Sequence, residues 1–382
     1  MMENTMKKVL VLTTSTGGGH NAAARALVEA LGTRGVQARV QDCMAPVGKR
    51  FSRGVSRAYV SLVQRRPDMF GRVYRLGRCV SDWEARRGIT SPVYLFNVGC
   101  SGRLRALLQR EQPDAVLCTH LYAGQMMTHL QRHGGFGGLS AFVMTDYTVI
   151  PFQEEVCCDR IYLSRPGLEK DYVSRGVDLT RIRCFGIPVS PACEAARGIE
   201  SGSGCGILLL GGSMGAGDLP TAVETLLPLA HPARRLQVVC GSNAALRDAL
   251  LARYAGDDRI EVLGQVDDMP RRIAGSRVVV GKSGGLVSTE VCAVGRPFVI
   301  WQPIEGCETA NAAWLVKNDM AVWAHDPREL YGHAASLLWD EDARWDMVCQ
   351  QRRYVNAHAA LDIVGDVLQA LSERGKGGGD RG

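Results

Sequence analysis

The sequence predicts an α/β protein built from two nucleotide-binding-type domains that face one another, and three observations predict it. A strand, a glycine-rich loop and a helix occur twice, about two hundred residues apart. The first copy is VLVLTT, then Thr16, Gly17, Gly18, Gly19 and His20, then NAAARALVEAL; the second is CGILLLGGS, then Met214, Gly215, Ala216 and Gly217, then DLPTAVETLLPLA. A third glycine loop, Lys282–Ser283–Gly284–Gly285, follows another apolar strand. Each loop turns tightly out of a strand and leaves helix N-terminal N–H groups open to an anion, so facing copies place a phosphate between two domains. A length of 382 residues also exceeds what one hydrophobic core comfortably serves.

Apolar runs bounded by turn residues predict strands at 7–14, 36–42, 114–119, 140–145, 160–164 and 182–186 in the first half. Between the first two, residues 21–33 place Ala24, Leu27, Val28 and Leu31 at i, i+3, i+4 and i+7, the face of a buried helix. Alternating strands and helices imply a parallel sheet covered on both sides. Residues 47–108 interrupt the alternation with Arg-rich amphipathic helices. Around Pro188–Gly206 small, turn-favouring residues mark an interdomain linker. A second unit follows, with strands near 206–211, 235–240, 260–266, 277–281, 297–301 and 321–324, and a helical stretch over 327–371. The expected organisation is a Rossmann-like domain over 1–190, a linker over 191–205, a second such domain over 206–355, a C-terminal helix over 356–372 and a disordered tail over 373–382.

Composition excludes several classes. With 46% hydrophobic and 22% charged residues the chain is an ordinary globular protein, and no run of about 18 apolar residues suggests a membrane span. The N-terminal apolar run VLVLTT is too short for a signal peptide, so the expected location is cytoplasmic. The 13 cysteines are scattered without any C-x-x-C, and Cys118, Cys205 and Cys240 lie in apolar strands, as reduced thiols acting as small hydrophobes do.

The net charge of +6 is local: residues 49–87 hold eleven Lys/Arg against three acids, while the remainder is close to neutral. Phe51, Tyr59, Leu62, Val63, Phe70, Val73, Tyr74 and Trp83 interleave with those cations, the pattern of an interfacial surface for anionic lipid. No RNA- or DNA-binding motif accompanies the charge, so nucleic acid is not an expected partner. A plain solvated helical face is the alternative reading.

Three segments carry candidate chemistry. The backbone of Gly212 and Gly215 with the Ser213 hydroxyl suits a diphosphate, as do Gly18 and Gly19 in the first copy. Lys282, Gly284, Gly285 and Leu286 form the second cradle, and Glu290 in the following helix suits a ribose diol. Glu308 and Asn311, three apart on one helix face, suit sugar hydroxyls.

As an ordered set these segments resemble the donor half of glycosyltransferases that make diacylglycerol glycolipids and lipid II, with their G-G-S-x-G-A loop and K-P-G-G-L-T-x-x-E…P-x-x-G-Q-E-x-x-N pattern. Ser15–Thr16–Gly17–Gly18–Gly19–His20 and Thr145–Asp146–Tyr147 are similar to the monogalactosyldiacylglycerol synthase branch and its bacterial glucosyl relatives. The chain departs from that pattern at Ile150, where the family has histidine, and at Gln153, Ser283, Val287 and Cys307. The resemblance implies a GT-B arrangement, two Rossmann-like domains facing across a cleft, with a UDP-sugar on the C-terminal side and the acceptor on the N-terminal side. It further implies inverting transfer of a hexose to diacylglycerol without a metal, on the cytoplasmic face of a membrane reached through 49–87. His20 is the first candidate base, because a helix N-terminus disfavours its protonated form. Asp146 is the second, as base or as the group that orients His20, and His120 is expected to line the same cleft. The alternatives are N-acetylglucosamine transfer to a polyprenyl-linked acceptor, or a UDP-sugar-binding protein with catalysis weakened at Ile150, Val287 and Cys307.

Overall fold

The computed structural model describes residues 7–14, 18–45, 71–72, 74–81, 90–174, 176–199, 204–213, 215 and 217–377. They form two parallel six-stranded sheets with helices on both faces. The first contains β1 (Lys8–Thr13), β2 (Gln37–Asp42), β3 (Ala115–Cys118), β4 (Leu139–Val143), β5 (Arg160–Leu163) and β6 (Ile182–Cys184). The second contains β7 (Gly204–Leu210), β8 (Arg234–Val239), β9 (Ile260–Leu263), β10 (Ser276–Gly281), β11 (Phe298–Trp301) and β12 (Val322–Ala324). Every predicted strand exists, and in the central strands buried apolar runs explain why: strands covered on both faces read as continuous Val, Leu and Ile stretches.

The sheet orders are β2-β1-β3-β4-β5-β6 and β12-β11-β10-β7-β8-β9. In each, the first strand is flanked by neighbours that continue in opposite directions, at β1/β3 and at β7/β10. Ligands of open parallel sheets bind beyond the carboxyl ends of the strands at such a reversal. All three glycine loops leave from β1, β7 and β10, so topology alone delivers them to the two reversal points.

The Gly18–Gly32 helix buries Ala23, Ala24, Ala26, Leu27, Ala30 and Leu31, with Val28 at the edge of that face. Alanines at four of those positions let it lie close to the sheet. The predicted helical stretch over 327–371 is three helices, Pro327–Trp339, Glu341–Tyr354 and Ala359–Gly377. The last returns to the first domain: Ala360, Ile363, Val364 and Val367 are buried in one cluster with Val9, Val11, Leu27 and Leu31. Arg160 Nε (3.1 Å) and the Tyr162 hydroxyl (2.7 Å) both donate to Asp366 of that helix. Burying each of its three large aliphatic side chains is worth about 1.5–3 kcal/mol, so the helix is part of the N-terminal domain's core. It runs to Gly377, past the predicted end at 372.

The predicted linker also packs. Ala192–Ala195 is a short helix, and Cys193 and Ala196 are buried with Ile187 and Val189 in the core of the second domain. Of the cationic segment 49–87, residues 71–72 and 74–81 are helical and the rest lies outside the described residues. Among the described residues no helix is long and apolar enough to cross a membrane.

Candidate active site

The two glycine loops of the repeated unit touch across the domains. The Gly18 N–H donates to Ser213 Oγ at 3.2 Å, and a Cβ on Gly18 would overlap the Ser213 side chain. Gly212 and Gly215 take left-handed φ values of 67° and 56°, and a side chain at Gly215 would meet the Cys240 carbonyl. Only glycine permits that turn without strain. Lys282 lies over Gly212, its Nζ 3.9 Å from where a Gly212 Cβ would stand. The ammonium pairs with Glu308 Oε1 at 3.6 Å, while Glu308 Oε2 accepts the Ile304 N–H at 2.7 Å. Ser283 Oγ donates to the Glu308 carbonyl at 2.7 Å, so the second cradle and the Glu308 loop are tied together. Gly284 sits beside Glu308, and Gly285 meets the other domain: a Cβ there would overlap the Thr145 carbonyl oxygen. Leu286 is buried core against Gly19, so its side chain packs the domain seam and its backbone alone is left for a ligand.

His20 is held on three sides. Its Nδ1 lies 2.8 Å from the Thr119 carbonyl and 2.9 Å from Thr145 Oγ1, and its own carbonyl accepts the Thr119 hydroxyl at 3.1 Å. A carbonyl can only accept, so the Nδ1 position carries the proton and Nε2 keeps its lone pair in the neutral ring. Burial lowers the pKa of His20, which keeps it neutral near pH 7. A neutral imidazole with a fixed tautomer is what a general base requires.

Asp146 stands at the end of the turn after β4. Its Oδ1 accepts Asn311 Nδ2 at 3.0 Å, and the Gly285 backbone N–H donates to the same carboxylate. Burial, with Glu308 nearby, pushes its pKa up to about 7 against those two hydrogen bonds.

The structure gives several candidate residues partners that the sequence did not suggest. Asn311 is fully buried: Nδ2 donates to Asp146 and to the Ser283 carbonyl (3.1 Å), and Oδ1 accepts the Tyr147 N–H (2.9 Å). With each of these atoms engaged it bridges the domains, instead of presenting an amide to a sugar. His120 caps the Leu121–Arg132 helix by accepting the Tyr122 N–H at 3.2 Å, and its ring lies edge-on to His20 at 4.7 Å. It packs against the candidate base and remains partly exposed. Glu290 lies in the domain seam, where burial pushes its pKa up to about 7 against the attraction of Arg25. Tyr74, expected at a lipid interface, packs its ring on Gly306, and Asp146 and Cys307 act on its hydroxyl. Arg75 forms an ion pair with Glu305. That part of the cationic segment therefore reaches the mouth of the donor side.

The sequence singled out Thr145 and Tyr147 only as neighbours of Asp146 in a motif, without roles, and did not single out Thr119. The Tyr147 hydroxyl lies 2.6 Å from Thr289 Oγ1, and its ring stacks on Trp314 at 4.4 Å. Three successive residues thus make the links: Thr145 contacts His20, Asp146 accepts from Asn311, and Tyr147 packs into the second domain's core. The Thr-Asp-Tyr triplet after an apolar strand was the available signal. Among the described residues no group of three or more His, Cys, Asp or Glu side chains could hold a metal ion.

Residues 20–189 match the family model for monogalactosyldiacylglycerol synthase, and residues 206–330 match the C-terminal domain of glycosyltransferase family 28. The processive diacylglycerol beta-glucosyltransferase of Bacillus subtilis (strain 168) is 25% identical over 380 residues, covering 96% of both chains. The protein of that name from Bacillus pumilus is 23% identical over 96% of both. The fold is shared with Staphylococcus aureus MnaA in its UDP co-structure (TM-score 0.63, 14% identity, 96% of this chain and 97% of that one). It is shared also with Acinetobacter baumannii MurG (TM-score 0.59, 17% identity, 95% and 99%). The reversal-point loops, the held histidine and the matches to both domains lead to one assignment: the chain is a glycosyltransferase of GT-B fold that joins a monogalactosyldiacylglycerol synthase-type N-terminal domain to a glycosyltransferase family 28 C-terminal domain.

Proposed function

We propose that the protein moves a hexose from a UDP-sugar to the free hydroxyl of diacylglycerol, with inversion at the anomeric carbon. The observation that carries the reading is the meeting of Gly18 and Ser213 beside Lys282, with His20 and Asp146 in the same seam. The diphosphate sits on the N–H groups of the 211–215 and 282–285 loops, where the helix dipole and the Lys282 ammonium stabilise the charge that grows as the sugar leaves. Drawing Lys282 to phosphate releases Glu308 for the sugar hydroxyls. His20 Nε2 takes the proton of the acceptor hydroxyl as its oxygen attacks. No metal is assigned a role.

Glu290 supplies a test of the donor side. Its folded pKa of about 7 lies above the usual glutamate value, so the unfolded chain ionises first as pH rises. That costs stability increasingly between about pH 4.5 and 7, and by a constant amount above. Glu290→Gln is expected to stabilise the ligand-free protein by about 1–3 kcal/mol at pH 8 and hardly at all at pH 4. The same change is expected to weaken UDP by about 1–3 kcal/mol through lost charge-assisted hydrogen bonds to ribose. Calorimetric UDP affinity equal to wild type removes Glu290 from the ribose role.

The acceptor side calls for peripheral attachment to the cytoplasmic face of an anionic membrane. Arg72, Leu76 and Arg78 are exposed on the helix that carries Tyr74 inward. Each cation near an anionic surface contributes about 1 kcal/mol, screened over about 8–10 Å at physiological salt. Changing Arg65, Arg66, Arg72 and Arg78 to Glu is expected to abolish sedimentation with phosphatidylglycerol vesicles and to leave UDP binding intact. Equal sedimentation of wild type with neutral vesicles contradicts an electrostatic attachment.

A further inference from the structure

Asn311 joins residues that belong to opposite domains. Asp146 and Tyr147 follow β4 of the first, while Ser283 and Asn311 itself belong to the second, and the side chain is 0% exposed between them. We propose that Asn311 is a positioning residue for transfer: its amide, with the Gly285 N–H, orients the Asp146 carboxylate across the closed seam and favours its charged form against the burial there.

The proposal rests on the reading that Asp146 takes part in the transfer step. Its support is a matter of donors. Among the described residues the titratable groups that act on Asp146 or are acted on by it are Glu308, Cys307, Tyr74 and Tyr147, and none is a cation. Lys282, the neighbouring ammonium, is paired with Glu308. The ionised carboxylate is therefore stabilised by hydrogen bonds, and both donors come from the opposite domain. Opening the cleft removes both at once. Opening also exposes Asp146 to water and removes the burial that opposes its ionisation, so it is the closed seam that needs these donors to favour the charged carboxylate and to fix its orientation.

Donation of N–H to the charged form lowers an acid's pKa, so losing it raises the pKa. In the full-length protein the ionisation of Asp146 is followed by its carboxyl infrared band, taken as the difference from Asp146→Asn. In parallel kcat/KM is measured against pH with UDP-glucose, UDP-galactose and dioleoylglycerol vesicles. Asn311→Ala is expected to move the Asp146 titration up by about 1–2 pH units, the scale of one charge-assisted hydrogen bond. The acid limb of kcat/KM moves with it, activity partly recovers at higher pH, and KM for the UDP-sugar stays near wild type. Asn311→Asp keeps an acceptor for the Tyr147 N–H and brings a second carboxylate, so it moves the titration further in the same direction, and it serves if the alanine variant is unstable. An unchanged Asp146 titration in both variants, or a raised donor KM at constant kcat, overturns the proposal in favour of a sugar contact. Wild-type turnover and pH profile in Asp146→Asn instead sink the underlying reading that Asp146 acts in transfer.

Discussion

His20→Ala is expected to lower kcat about 100-fold or more while KM for the UDP-sugar stays nearly constant. Among the described residues the partners of the ring are Thr119, Thr145 and His120, away from the Lys282–Glu308 pair. Removing it takes away proton transfer and leaves the donor cradle in place, which is why the loss falls on kcat. The geometry also fixes a pH signature. Burial lowers the His20 pKa, so its protonation begins to cost activity only below the usual histidine range. Thr145→Val removes one contact to Nδ1 while the Thr119 carbonyl remains, and is expected to cost less than His20→Ala. Steady-state kinetics with near-wild-type turnover in His20→Ala would transfer the base role to Asp146.

Gly285→Ala is expected to be nearly as damaging, by a different route. The added methyl would overlap the Thr145 carbonyl oxygen, in backbone that cannot yield without moving β4's exit turn or the whole second domain. Gly285 has no left-handed φ, so the alanine adds no backbone strain of its own and the clash falls on the approach of the two domains. A displacement of about 1 Å at reacting groups can cost about 100-fold in rate. The variant should fold and keep measurable UDP affinity, with kcat reduced on that scale and a larger radius of gyration by solution scattering in saturating UDP. Wild-type kinetics would show that the domains do not approach this closely during turnover.

The parts of this molecule that were readable from sequence are those with local physical causes. Strands buried on both faces show as apolar runs, and the phosphate cradles show as glycines because a side chain at Gly18, Gly215 or Gly285 would collide with a neighbour. Pairings between distant segments were not readable. The apolar stripe of Ala359–Gly377 is visible as a helix face, yet nothing local says that it covers the first domain and not the second. Tyr74 and Leu76 share an Arg-rich segment, and only the fold shows that one packs on Gly306 while the other is 65% exposed. Glu308 and Asn311 do share a helix face as their spacing predicts, but their partners, Lys282 and Asp146, come from different domains. His120 reads as a cleft residue because it ends a strand; its capping of Tyr122 depends on a backbone angle that the sequence does not display.

In the proposed function, closure over a UDP-sugar delivers the hexose to a diacylglycerol hydroxyl. The most direct measurement incubates the full-length protein, without added divalent metal, with radiolabelled UDP-glucose or UDP-galactose and phosphatidylglycerol vesicles containing dioleoylglycerol, and identifies the labelled lipid by chromatography and anomeric NMR. A β-linked hexosyl-diacylglycerol is expected, and it is lost in His20→Ala. Label appearing only in a polyprenyl-linked acceptor supplied in parallel, an α-linked product, or tight UDP-sugar binding with no labelled lipid would contradict the proposed function.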